Sequence, residues 1–141
     1  MRFMIIVKSN PEFEAETTPQ RPDEKLMAAM ADYHEQLSKA GVLLDASGLQ
    51  PSRKGWRIHY DGPKRTVVDG PFTESKELIA GFTTIQVRSR EEALEWSRRF
   101  PNPVGETAPA VIEVRQLFEL DDFVPNEHVQ RFREMNTPSQ K

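Results

Sequence analysis

Between residues 23 and 40 the apolar side chains keep one spacing. Leu26, Met30, Tyr33 and Leu37 fall at i, i+4, i+7 and i+11, a single stripe of an amphipathic helix. Asp23 is placed to cap its start and Gly41 to end it in a left-handed conformation. Before it stands Arg2-Phe3-Met4-Ile5-Ile6-Val7-Lys8, whose shortness and β-branched content favour a central strand. The intervening stretch, residues 9–22, holds Pro11, Pro19 and Pro22 among glutamates and reads as a mobile surface loop. After the helix, Val42-Leu43-Leu44 runs into Asp45-Ala46-Ser47-Gly48-Leu49, a second strand that breaks near Gly48.

Period-two alternation then takes over. Trp56-Arg57-Ile58-His59-Tyr60 and Arg65-Thr66-Val67-Val68-Asp69 flank Asp61-Gly62-Pro63-Lys64, which predicts a hairpin with a loop longer than two residues. A strand is predicted over 79–87. Ser89-Arg90-Glu91-Glu92 is a capping box, and the helix it opens turns Ala93, Trp96 and Phe100 inward before Pro101. A last strand follows over 111–120. Residues 126–136 predict a terminal helix with Val129 and Phe132 on one side, and the final residues are expected to be disordered.

The order is β-α-β-(hairpin)-β-α-β, which predicts a split βαβ fold with helices on one face of a mainly antiparallel sheet. A single helix layer leaves the other sheet face bare, and a second copy is its natural cover, so a homodimer is expected. At 141 residues and 37% hydrophobic, the chain has material for one core. A net charge of −3 argues against nucleic-acid binding and against a membrane-binding basic patch. The strongly apolar run Met4-Ile5-Ile6-Val7 is too short for a membrane span and reads as a strand rather than a signal peptide. There are no cysteines, which excludes disulfides, thiolate metal sites and a Cys nucleophile and suits a cytoplasmic setting.

The segment Asp69-Gly70-Pro71-Phe72-Thr73-Glu74-Ser75-Lys76-Glu77-Leu78-Ile79-Ala80-Gly81-Phe82 resembles the DGPF motif of the YciI-like (YCII-related) family. Ala40-Gly41-Val42-Leu43-Leu44, Gly48-Leu49-Gln50-Pro51, Ser89-Arg90-Glu91-Glu92-Ala93, Glu113-Val114-Arg115 and Asp122-Phe123 agree with it, so the resemblance covers residues 2–124. It implies a ferredoxin-like α+β fold that dimerises through its sheets as dimeric α/β barrels do. The domain would then span 1–124, with 125–141 a tail containing a short helix. The family has no settled activity. Related YciI-type members carry a His–Asp pair in a cleft at the dimer, associated with acid–base or lyase-like chemistry. Their histidine falls on the first helix at the place of Met30 here, one turn before His34.

Among the residues able to carry chemistry, His34 is the most plausible general base, with Asp45 within reach after the helix–strand turn; the plainer reading is a structural histidine. In the motif, Gly70 is read as supplying backbone geometry closed to other residues, and Asp69 as binding the free N–H groups of the turn. That makes either a rigid corner or a ligand-facing loop with Phe72 against the ligand and Asp69 and Glu74 as acceptors. Lys76 or Arg57 would hold an anionic substrate, although a salt-bridged surface explains the same charges. Gly81 inside a strand predicts a bulge, or the close approach of another chain or a ligand.

His34, His59 and His128 are scattered without metal-ligand spacing, so no metal is expected. No nucleophile elbow, phosphate loop or dinucleotide fingerprint occurs, so no cofactor is expected either. Trp56 and Trp96 read as packing residues rather than base-stacking platforms. Two functions follow. One is a homodimer binding a small molecule, with Asp45, Asp69 and His34 as acid–base groups. The other is a non-catalytic sensor or assembly module in which the DGPF motif is structural.

Overall fold

The structure, a computed structural model, describes residues 1–15, 24–106 and 108–135. Strand β1 (Arg2–Lys8) leads into a short helix α1 (Pro11–Ala15) and then helix α2 (Glu24–Lys39). Strand β2 (Leu43–Gly48), strands β3 (Trp56–Asp61) and β4 (Lys64–Asp69), and strand β5 (Ile79–Gln86) follow. Helix α3 (Arg90–Arg98), strand β6 (Ile112–Gln116) and helix α4 (Glu127–Met135) complete the chain.

Four strands form one sheet in the order β2-β5-β1-β6, every neighbouring pair antiparallel. β5 lies between β1 and β2, and β1 lies between β5 and β6, so both strand–helix–strand units are split. This is the expected ferredoxin-like α+β arrangement. β3 and β4 form a separate two-stranded sheet.

One face of the four-stranded sheet holds the core. Phe3, Ile5, Ile85 and Val87 pack with Tyr33 and Leu37 of α2, Val42, and Ala93 of α3, with Trp96 and Phe100 half-buried at the edge. The stripe predicted for α2 is therefore its buried face, with Tyr33 and Leu37 deepest. Gly41 ends the helix at φ +74°, in the left-handed region. Asp23, the expected cap, lies outside the described residues, as do the last residues of the tail. The opposite sheet face is less bare than one layer of helices implies. Ile6 and Thr84 are buried there, and the ion-paired side chains of Lys8, Glu113 and Arg115 share that face. Long charged side chains can cover apolar surface with their stems.

Several local expectations change. Residues 11–15 of the predicted loop are helical, with Asn10 Oδ1 accepting from the Phe13 N–H at 2.8 Å. The hairpin loop is only Gly62-Pro63, because Asp61 pairs with Lys64 and Gly62 takes φ +59°. Ser89 Oγ accepts from the Glu92 N–H as predicted, but the Glu92 carboxylate returns to the N–H of Arg88. Trp56 is exposed rather than packed in a core.

The Tyr33 hydroxyl donates to the Trp96 carbonyl at 2.8 Å, joining the two helices. Burial pushes its pKa up from 10.0 to about 12, opposed by the nearby Arg99 charge. The folded state thus holds this proton more tightly than the unfolded state. The stability it contributes is intact below pH 10 and falls as pH rises toward 12. We expect denaturant titrations from pH 9 to 12 to show a loss on the order of 1–2 kcal/mol that is absent in Tyr33→Phe. Parallel losses in both proteins would contradict this.

Candidate functional site

The DGPF turn is built around one missing side chain. A Cβ on Gly70 would lie 1.9 Å from the carbonyl oxygen of Ser52, closer than any real contact. The demand on Gly70 is thus one of space. Its φ is not in the left-handed region, where only Gly41, Gly62 and Gly105 among the described glycines lie. The Gly70–Pro71 peptide bond is cis.

The N–H groups of the turn are satisfied by the neighbouring loop and not by Asp69. The Gly70 N–H donates to the Gly55 carbonyl at 3.0 Å, and the Phe72 N–H donates to Ser52 Oγ at 3.0 Å. Ser52 also turns its own hydroxyl and N–H to the Glu14 carboxylate, which ties α1 to the motif. Neither Ser52 nor Glu14 stood out in the sequence. Glu14 was hidden in a proline-rich stretch, and a serine after Gln50-Pro51 carries no periodic signal.

Phe72 and Glu74 share one cation. The Arg57 guanidinium stacks over the Phe72 ring, 3.8 Å from its centroid, and pairs with Glu74 at 3.6 Å. Glu74 has its pKa held down, chiefly by its own backbone N–H and the Thr73 hydroxyl, with Arg57 contributing. Lys76 lies exposed in the 3-10 turn Ser75–Glu77, and Asp69 is exposed opposite Trp56 at the end of β4. Gly81 pairs with both Val7 and Gly48, and a Cβ there would meet the Ser47 carbonyl at 3.0 Å. A register shift between Val7 and Lys8 sits beside it, as a bulge would give, and the close neighbour is the backbone of this chain's own β2 rather than another chain or a ligand.

His34 is set apart from this cluster. Half-buried on α2, it reaches the Met30 carbonyl through Nδ1 at 2.7 Å and Thr83 Oγ1 through Nε2 at 2.8 Å. A carbonyl can only accept, so Nδ1 donates to Met30, and the tautomer this selects leaves Nε2 free to accept from the threonine hydroxyl. Tyr33 and Phe100 meet the ring edge-on. The expected partner Asp45 is not joined to it. Asp45 pairs with Thr84, the neighbour of Thr83 on the other side of the pleat, and its carboxylate accepts from the Ala46 N–H. Thr83 was missed because a threonine in a strand is ordinary β composition. Among the described residues no three His, Asp or Glu side chains gather as metal ligands would. No helix among them is long and apolar enough to cross a membrane.

A ferredoxin-like α+β chain with an extra hairpin and a DGPF turn defines the class. The chain belongs to the YCII-related domain family, whose model matches residues 1–121. It is 30% identical over 108 residues to an uncharacterized protein, R00369, of Rhizobium meliloti (strain 1021), covering 77% of this chain and 86% of that one. Among solved structures it is similar to 5-chloro-2-hydroxyhydroquinone dehydrochlorinase (TftG) from Burkholderia phenoliruptrix AC1100, solved in complex with 2,5-dihydroxybenzoquinone. That likeness has 15% identity and a TM-score of 0.40, over 84% of this chain and 95% of that chain.

The packing at Gly70 predicts a sharp contrast between glycines. Gly70→Ala should cost about 3 kcal/mol or more in urea unfolding, because backbone must move to admit the methyl group. Gly48→Ala meets nothing within 4 Å and should stay within about 1 kcal/mol of the wild type. Equal effects would show that the Ser52 contact does not constrain the turn.

Proposed function

We propose that the protein is a homodimer that binds a small anionic molecule and moves a proton at it through His34. The observation that carries this reading is the ring's hydrogen bonding. Met30 fixes the tautomer, and among the described residues the acceptor nitrogen Nε2 meets a neutral hydroxyl, Thr83 Oγ1, rather than a carboxylate. A ligand hydroxyl that replaces the threonine would present its proton to a pre-oriented base. Gly81 lies two residues from Thr83 on the same sheet face, about 7 Å away at strand spacing, and leaves no side chain there. Arg57 and Lys76, at the DGPF turn and set apart from His34, are the cations we assign to the acid group of an anionic ligand. Phe72 and Glu74 would then orient Arg57. Asp69 remains the candidate for a second proton-transfer group, and Asp45 would act separately from His34.

A second reading keeps the DGPF turn purely structural, in a sensor or assembly module. The contact between Gly70 and the Ser52 carbonyl favours it. Binding measurements separate the two. In a thermal-shift screen of small carboxylic acids and phenols, a ligand at a hundred times its Kd should raise the Tm by about 8 °C. We expect His34→Ala, compared with its own ligand-free Tm, to lose most of that shift. A shift of unchanged size in His34→Ala, or no shift from any compound, would contradict the reading.

A further inference from the structure

The hairpin β3–β4 has two unlike faces, and the wrong one points outward. Residues alternate across it, so Trp56, Ile58 and Tyr60 share a face with their partners Asp69, Val67 and Arg65. The other face carries Arg57, His59, Thr66 and Val68, and Arg57 stacks on Phe72 of the motif. Arg57 therefore turns toward the motif from that face, although every residue of both strands is exposed. The apolar face is left to solvent, with Trp56 63%, Tyr60 65% and Val67 63% exposed. A two-stranded hairpin is marginal in water on its own, and an uncovered aromatic face makes it more so.

A second apolar surface stands open at the C-terminal end. Helix α4 places Val129, Phe132 and Met135 on one side, with Phe132 57% and Met135 68% exposed, and Phe118 and Val124 before it are exposed as well. The two surfaces carry opposite charge. Residues 53–69 hold five Lys or Arg against two Asp, whereas residues 118–135 hold five Asp or Glu against two Arg. With Arg57 paired to Glu74 and Glu119 paired to Arg2, each keeps a net excess of two charges, in opposite senses.

They cannot easily meet within one chain. The C-terminal segment is anchored at the start of β1, where Arg2 pairs with Glu119 at 2.9 Å and its carbonyl accepts from the Leu117 N–H. The hairpin leaves the sheet from the Gly48 end, beside Val7 and Gly81. Those ends are five residues apart along β1, about 17 Å at strand spacing. A two-fold axis reverses one copy against the other and brings opposite ends together.

We propose that in the homodimer the apolar face of each hairpin is covered by the C-terminal segment 118–135 of the second copy. The contact is reciprocal: aromatic and aliphatic side chains at its centre, and opposite charges around them. This rests on the homodimer reading given above and adds to it where the copies touch.

The absence of native cysteines makes the test direct. Val67→Cys and Phe132→Cys, both at exposed positions, are prepared as separate full-length proteins, mixed, and treated with a short bis-maleimide. Sedimentation equilibrium is run on the same samples. The proposal expects a dimer by sedimentation and a covalent heterodimer from the mixture at least tenfold above either protein alone. It also expects Trp56→Ser to raise the dimer Kd at least tenfold without changing the far-UV circular dichroism. A dimer that does not cross-link above the single-protein controls overturns the hairpin contact and leaves the homodimer standing. A monomer at all concentrations overturns both. Val67→Cys/Phe132→Cys in one chain that links internally as a monomer would also overturn the proposal.

Discussion

The close packing of Gly70 on the Ser52 carbonyl is the constraint from which the peripheral structure follows. It leaves no room for a side chain, so the DGPF turn and the loop after β2 are held as one body. Ser52 extends that body to α1 by giving its hydroxyl and N–H to Glu14. Arg57 then locks the hairpin to the turn by stacking on Phe72 and pairing with Glu74. With Arg57 held by these contacts, Trp56, Tyr60 and Val67 lie on the opposite face of the hairpin and are exposed. The absence of a side chain at one glycine thus sets how the turn and its neighbouring loop pack.

The core and the DGPF turn are held by different interactions. The sheet face under α2 and α3 is filled by ordinary aliphatic and aromatic packing, and the DGPF turn is braced by backbone-directed hydrogen bonds. His34 stands between them, on a helix whose buried stripe fixes its height above β5. Its nitrogens meet a backbone carbonyl and a neutral hydroxyl, and no charged group among the described residues is hydrogen-bonded to the ring. The Arg57–Phe72–Glu74 cluster is the opposite case, a cation already partnered on two sides.

The elements with regular periodicity were legible in the sequence. The α2 stripe at Leu26, Met30, Tyr33 and Leu37, the turn at Gly41, the serine cap of α3 and the two alternating hairpin strands all reflect local patterns that the structure repeats. The family followed from the DGPF segment and its flanking matches. What was not legible depended on contacts distant in the chain. Gly70 looked like a backbone-conformation glycine because nothing near it in sequence reveals that Ser52 lies against it. Trp56 looked like a core residue because alternation marks two faces without saying which one is covered. Asp45 seemed near His34 by chain distance, but the pleat of β2 against β5 sends the two to different sides. Glu14 was unreadable for the same reason as Ser52: its role exists only once α1 docks on the loop.

The central proposal is that a second copy of the chain completes the hairpin. Hydrogen–deuterium exchange across a dilution series, read by mass spectrometry over residues 56–69, tests it most directly. The account predicts that these amides are protected at high concentration and lose protection on dilution through the dimer Kd, while β1 and β5 stay protected throughout. Hairpin protection that does not change as the dimer dissociates would contradict it.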